Sequence, residues 1–213
     1  MVALQHVTKR FGHHTVVADL SLSVAAGDMV CLYGPSGCGK TTVLNLVAGI
    51  LRPDAGSIRV ETDRIGFAFQ DDRLIPWLTA RDNLLFALSR DWTPAGARQR
   101  ADDWLDRLGL HAAADRKPAA LSGGMRRRVN LARSLAVDPD LLLLDEPFTF
   151  LDPDAVAQAR DALRYVHAER NTAVLVVSHV LDHVRPLEPR TVRMPPAGQA
   201  APDPNEQQEP SAP

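Results

Sequence analysis

The sequence is poor in cysteine. Its two, Cys31 and Cys38, have no further Cys or His at the spacing of a zinc site. Two reduced thiols are expected rather than a disulfide. A long apolar run is also missing. The longest candidate, Leu141 to Leu144, stops at Asp145, far short of the ~20 residues that span a bilayer as a helix. The opening residues, MVALQHVTKRF, lack the apolar stretch of a signal peptide. Basic excess is absent too. Twenty-four Lys and Arg face 26 Asp and Glu, a formal net charge of −2, which argues against a general nucleic-acid-binding surface. There is no internal repeat. The chain is therefore expected in the cytosol, with any membrane role exercised through partners.

What is present suits one compact α/β unit. Of the 213 residues, 45% are hydrophobic, enough for a sizeable core. The first 24 alternate apolar and polar residues and break at Gly12, which predicts short antiparallel strands. Met29 to Tyr33 reads as a buried strand. A glycine-rich loop follows, Gly34 to Gly39. A helix comes next, with Val43, Leu46, Val47 and Ile50 on one face. Leu51 to Gly56 reads as a loop and Ile65 to Phe69 as a strand. Thr79 to Val137 is helical in composition, and Trp92 and Trp104 within it are expected to pack. Leu141 to Leu144 and Val174 to Val177 read as parallel strands buried on both faces. Asp154 to Arg170 is the crossover helix between them, opened by Asp152-Pro153. From Pro195 on, Pro, Ala, Gln and Glu predict a disordered tail.

Two motifs carry chemistry. Gly34-Pro35-Ser36-Gly37-Cys38-Gly39-Lys40-Thr41, followed by Thr42, fits G-x-x-x-x-G-K-[ST] and lies between a predicted strand and a predicted helix. Glycines let successive backbone N–H groups turn inward as an anion nest, and the helix N-terminus adds its positive end. Lys40 can sit between β- and γ-phosphates, and the Thr41 hydroxyl can bind Mg²⁺. Leu141 to Leu144 then deliver Asp145 and Glu146 to the carboxyl end of a strand, where ligands bind in open α/β sheets. Asp145 can hold Mg²⁺, directly or through water, and Glu146 can polarise an attacking water. Together they indicate an ATP- and Mg²⁺-dependent phosphohydrolase.

Leu121-Ser122-Gly123-Gly124-Met125, followed by Arg126 to Arg128, resembles the signature of ABC ATPases and stands in that family's order before the acidic strand. The resemblance runs from about Leu4 to Met194. It implies a P-loop ABC-type ATPase domain over residues 1–194, with a mainly parallel sheet core, an N-terminal antiparallel β subdomain and a helical subdomain inserted at roughly 76–138; residues 195–213 would be the tail. It also implies roles. Phe11 looks like the aromatic that stacks on adenine, although a hairpin core residue is the other reading. Gln70 resembles the glutamine that reaches Mg²⁺ and the attacking water. Leu151-Asp152 looks like the loop that meets the partner subunit, and His179 like the histidine at the γ-phosphate. Ser122, Gly123 and Gly124 would contact ATP held by the opposite subunit. The implied assembly is a homodimer, or a pair with a second ATPase subunit, on membrane permease subunits that receive solute from a binding protein, with no nucleic acid. It would lie peripherally at the cytoplasmic face of the cell membrane.

Three positions depart from the family pattern. Arg127 stands where Gln is usual, and a helix-surface placement with small effect is expected. Phe150 replaces a small residue, which bears on dimer packing. Val180 and His183 replace acidic residues common after the histidine. The Arg126 to Arg128 triplet is expected to be a solvated or permease-facing surface. Phe69 to Thr79, containing Leu74-Ile75-Pro76-Trp77, and Asp82-Asn83 after it resemble the same region of nitrate, sulfonate and taurine importers. Trp77 would then belong to a permease-docking surface, or alternatively pack into the helical subdomain. A transporter of another solute, an efflux pump or a soluble ABC ATPase are the remaining readings.

Overall fold

The structure, a computed structural model, describes residues 1–89 and 91–200. Two long strands open the chain, β1 (Val2–Phe11) and β2 (His14–Val24), paired antiparallel around a turn at Gly12. After β3 (Met29–Tyr33) and α1 (Lys40–Val47), β4 (Ala55–Val60) joins the far side of β1 and gives a three-stranded antiparallel sheet. The second sheet contains β3, β5 (Ile65–Ala68), β6 (Leu141–Asp145), β7 (Ala173–Val177) and β8 (Arg190–Arg193). Its order is β5-β6-β7-β3-β8 and every pair is parallel.

The parallel sheet is apolar on both faces because helices or strands cover both. Side chains alternate between faces along each strand. Leu142, Leu144, Val174 and Val176 join one core with α3 (Pro94–Arg107), α4 (Gly123–Ala136) and α5 (Pro153–Arg170). Leu141, Leu143, Leu175 and Val177 join the other with α1 and the antiparallel sheet. Cys31 and Cys38 are free and buried, and burial pushes the Cys31 thiol up to about 12.

The helical stretch is divided more finely than its composition suggests. α2 (Ala80–Leu88) is capped by the Thr79 side chain, α3 by Thr93 with a proline in its first turn, and α4 by Ser122. Two short 3-10 turns, His111–Ala113 and Pro118–Ala120, separate α3 from α4. Trp104 is buried and meets the Tyr165 ring edge-on, while Trp92 lies under the Arg100 guanidinium. α5 is capped by Asp152, and α6 (Leu181–Val184) follows β7. No helix among the described residues is long and apolar enough to cross a membrane.

Several expectations are corrected. The first helix does not reach Ile50. Gly49 takes φ +71°, and the Ile50 and Leu51 amides both donate to Asn45 O, at 2.9 and 3.1 Å. That helix-ending turn leaves Ile50 54% exposed. The loop read through Gly56 already contains the first residues of β4, whose largely exposed face carries little apolar signal. β8 is equally polar and escapes notice for the same reason. The tail anticipated from Pro195 begins with a turn, Gln199 N donating to Pro196 O at 3.1 Å, and Ala200 bridges Ala18. Its remainder, 201–213, lies outside the described residues.

Helix α4 sits directly on β5. A Cβ at Gly66 would lie 2.2 Å from the backbone oxygen of Ser134. Gly66→Ala is expected to destabilise the fold by about 1–3 kcal/mol, read as a lower urea midpoint. An unchanged midpoint would contradict this close seating.

Candidate functional site

Parallel pairing sends the carboxyl ends of β3, β5, β6 and β7 to the same edge of the sheet. A cleft of about 220 Å³ opens there. It is lined by Ser36, Gly37, Gly39, Lys40, Thr41 and Thr42 after β3, Gln70 after β5, Asp145 and Glu146 at the end of β6, with Val177 and Val16. Val16, on β2, carries no motif signal and was not anticipated.

The phosphate loop is shaped by backbone. Gly39 precedes α1 in the left-handed region, φ +97°, and a Cβ there would meet Val16 and Val17 at 3.0–3.1 Å. Glycine is therefore required both for the turn and for the close approach of β2. Lys40 is buried. Its ammonium donates to Gly34 O at 2.9 Å and Pro35 O at 3.0 Å, with Cys38 Sγ at 3.7 Å. Gly34, Pro35 and Cys38 do not line the cleft; the Cys38 thiol belongs to the apolar core beneath it.

At the end of β6 two adjacent carboxylates have different surroundings. Asp145 is buried, accepts a hydrogen bond from Thr41, and has one oxygen, Oδ1, without a hydrogen-bond partner among the described residues. Desolvation pushes its carboxyl above the usual range and the Glu146 charge adds to this, against the pull of the Thr41 bond, Arg127 and Lys40. A buried acceptor of this kind beside a threonine hydroxyl fits a hard cation that prefers oxygen ligands. Glu146 adopts φ +52°, a strained conformation for a side chain of its size. Its amide donates to Val177 O at 3.0 Å, and its carboxylate lies 2.8 Å from His179 Nδ1. The register explains the pairing: Asp145 stands opposite Val177, so the next residues of β6 and β7 emerge side by side.

Gln70 reaches the cleft on a loop held by α4. Arg127 Nη1 and Asn130 Nδ2 both donate to Phe69 O, at 2.7 and 2.8 Å. Arg133 donates to Asp72 O and Arg73 O at 3.0 and 2.8 Å. Asp72 lies 3.5 Å from Arg126 and 3.6 Å from Arg127, and burial pushes its carboxyl up despite these cations. The helix-surface expectation for Arg127 is therefore wrong. It is 4% exposed and turned toward the loop that follows β5. The triplet as a whole is not a free surface, because Arg126 also donates to Leu121 O and Arg128 to Leu108 O, both at 2.9 Å. The 127-130-134 spacing, one helical face of buried polar residues, was the available signal.

Other singled-out residues lie outside the cleft in a single chain. Phe11 ends β1, half-exposed, with Lys9 Nζ 5.5 Å from its ring centre; it is not a hairpin core residue. Ser122 is occupied in capping α4, its hydroxyl accepting from Met125 N at 3.2 Å. Gly124 packs near the backbone of Phe150, which is 80% exposed at φ +66°. Trp77 is 72% exposed rather than packed inward. Its loop is pinned by buried Asn83, which bonds both the amide and the carbonyl of Ile75. His183 meets the Phe148 ring edge-on at 6.0 Å.

Comparisons with known proteins agree with this arrangement. The family model for ABC transporters matches residues 17–149. The chain is 40% identical over 204 residues to an aliphatic sulfonates import ATP-binding protein of Burkholderia lata, spanning 92% of this chain and 73% of that protein. It is 41% identical over 189 residues to a sulfate/thiosulfate import ATP-binding protein of Gloeobacter violaceus, spanning 84% of this chain and 55% of that one. A dimeric ATP-binding cassette in a post-hydrolysis state, bound to ADP and Pi, superposes with TM-score 0.85 at 30% identity, covering 93% of this chain and 97% of the other. With the phosphate loop, the signature and the acidic strand end in family order on this sheet, the chain belongs to the ABC transporter family.

Proposed function

We propose that this chain is the ATP-hydrolysing subunit of an ABC importer, driving uptake of a small anion of the sulfonate, sulfate or nitrate kind. The observation that carries the proposal is the single cleft in which the phosphate loop, Gln70, Asp145 and Glu146 converge. The names of the relatives support import and the class of solute. The exposed Trp77 loop, pinned by Asn83, supports docking to a permease, with a solute-binding protein on the far side of the membrane. The chain then works peripherally at the cytoplasmic face, paired with a second copy or another ATPase subunit.

In this reading ATP phosphates enter the nest formed by the amides of residues 36–42. The Lys40 ammonium leaves the Gly34 and Pro35 carbonyls for the β- and γ-phosphates. Thr41, Asp145 and Gln70 would hold Mg²⁺, whose positive charge would offset the charge that builds on the phosphate oxygens. Glu146 orients and deprotonates the attacking water, and His179 fixes its carboxylate before engaging the γ-phosphate. Phe11 stacks on adenine. Ser122, Gly123 and Gly124 of the opposite subunit close over the γ-phosphate, so that ATP joins two chains and hydrolysis releases them.

Lys40→Ala is expected to weaken ATP binding by about 10- to 100-fold, measured by titration calorimetry. Glu146→Gln is expected to bind ATP, to lose about 10²- to 10⁴-fold in kcat, and to sediment as a dimer only with ATP; near-normal turnover would sink the general-base assignment. Asp145→Asn removes a buried charge. It is expected to raise the melting temperature of the nucleotide-free protein while abolishing Mg²⁺-dependent turnover. A lower melting temperature would contradict the cost assigned to that carboxylate.

A further inference from the structure

We infer that Arg127 is a positioning residue for turnover, tying the Gln70 loop to α4 so that the helix carrying Ser122–Gly124 also sets where Gln70 stands in the ATP cleft. The inference rests on the proposed roles of that cleft and of Gln70. Its own support is geometric. Phe69 and Asp72 flank Gln70, and both are held by α4. The Phe69 carbonyl accepts two hydrogen bonds, from Arg127 and Asn130, which fill its two lone pairs. Its ring is fixed as well, stacked on Phe67 at 3.9 Å and covered by the Arg73 guanidinium at 4.1 Å. Arg126, Arg127, Asn130 and Arg133 recur at helical spacing, and each bonds or pairs with part of residues 69–73. Gln70 itself is exposed and lines the cleft, so its position depends on its neighbours.

Arg127 is an expensive way to make this tether. Its guanidinium is buried, its Nε has no hydrogen-bond partner among the described residues, and its carboxylate partner is 3.6 Å away. Buried ion pairs are weak evidence for stability, and in some proteins they fix one arrangement against others. Here the arrangement fixed is that of residues 69–72 against α4. The signature loop begins the same helix, so a displacement of Gln70 and a displacement of Ser122 are mechanically one movement.

The test is a double-mutant cycle with a structural readout beside it. Arg127→Met keeps length and removes the donors. Backbone amide exchange in residues 69–76 of the nucleotide-free protein is expected to rise about tenfold, with β6 and β7 unchanged. In turnover, Arg127→Met is expected to lower kcat about 10- to 100-fold with KM for ATP nearly constant. In a Gln70→Ala background it should cost less than about twofold. Arg127→Lys, which keeps a buried cation able to reach the Phe69 carbonyl, should recover most of the loss. If Arg127→Met does not fold, Arg127→Leu, which also lacks donors, carries the same cycle. Additive losses, unchanged exchange at residues 69–76, or loosening spread equally over β6 and β7 would overturn the inference alone. Full turnover by Gln70→Ala would overturn the role of Gln70, and with it that of Arg127.

Discussion

Parallel pairing of β6 between β5 and β7 is the constraint on which the rest of the molecule depends. It requires apolar residues on both faces of each strand, and so two cores, one under α1 and one under α3 to α5. It also requires every strand to leave the sheet in the same direction. The Gln70 loop, the Asp145–Glu146 pair, His179 and the phosphate loop, each following directly on a strand, therefore meet at one edge. A hydrophobic requirement has fixed the address of a polar site.

At that edge the fold departs from its own comfort in a few places. Asp145 is buried with one oxygen unpartnered among the described residues, and Glu146 takes a left-handed backbone conformation. Lys40 folds onto the carbonyls of its own loop. The buried Asp145 carboxylate is costly in the nucleotide-free protein and a cation beside it would offset that cost; the strained backbone at Glu146 holds the carboxylate proposed to act on water, and phosphates would take over the Lys40 contacts. Helix α4 links this edge to the surface. Its N-terminus presents the signature residues, its inward face grips the Gln70 loop, and its C-terminal part rests on Gly66 of β5.

Much of this was readable from sequence because apolar runs and short motifs are local signals. Met29–Tyr33, Leu141–Leu144 and Val174–Val177 announce buried strands whatever surrounds them, and Gly34 to Thr41 announces its own loop. Other features depend on contacts distant in sequence. β4 and β8 are polar edge strands that become strands only by pairing with β1 and β3. Ile50 continues an apolar helical pattern, but Gly49 ends the helix before it. Arg127 is charged, and charge is ordinarily a surface signal. Only the loop from β5, packed across α4, turns that position into an interior one.

The most direct measurement is the specific ATPase activity of the purified chain as a function of its own concentration, at saturating Mg²⁺ and ATP. A site that needs Ser122–Gly124 from a second chain predicts specific activity that rises with concentration and levels off once the chains are paired. A specific activity that stays constant down to concentrations at which the protein sediments as a monomer, with ATP present, would contradict it.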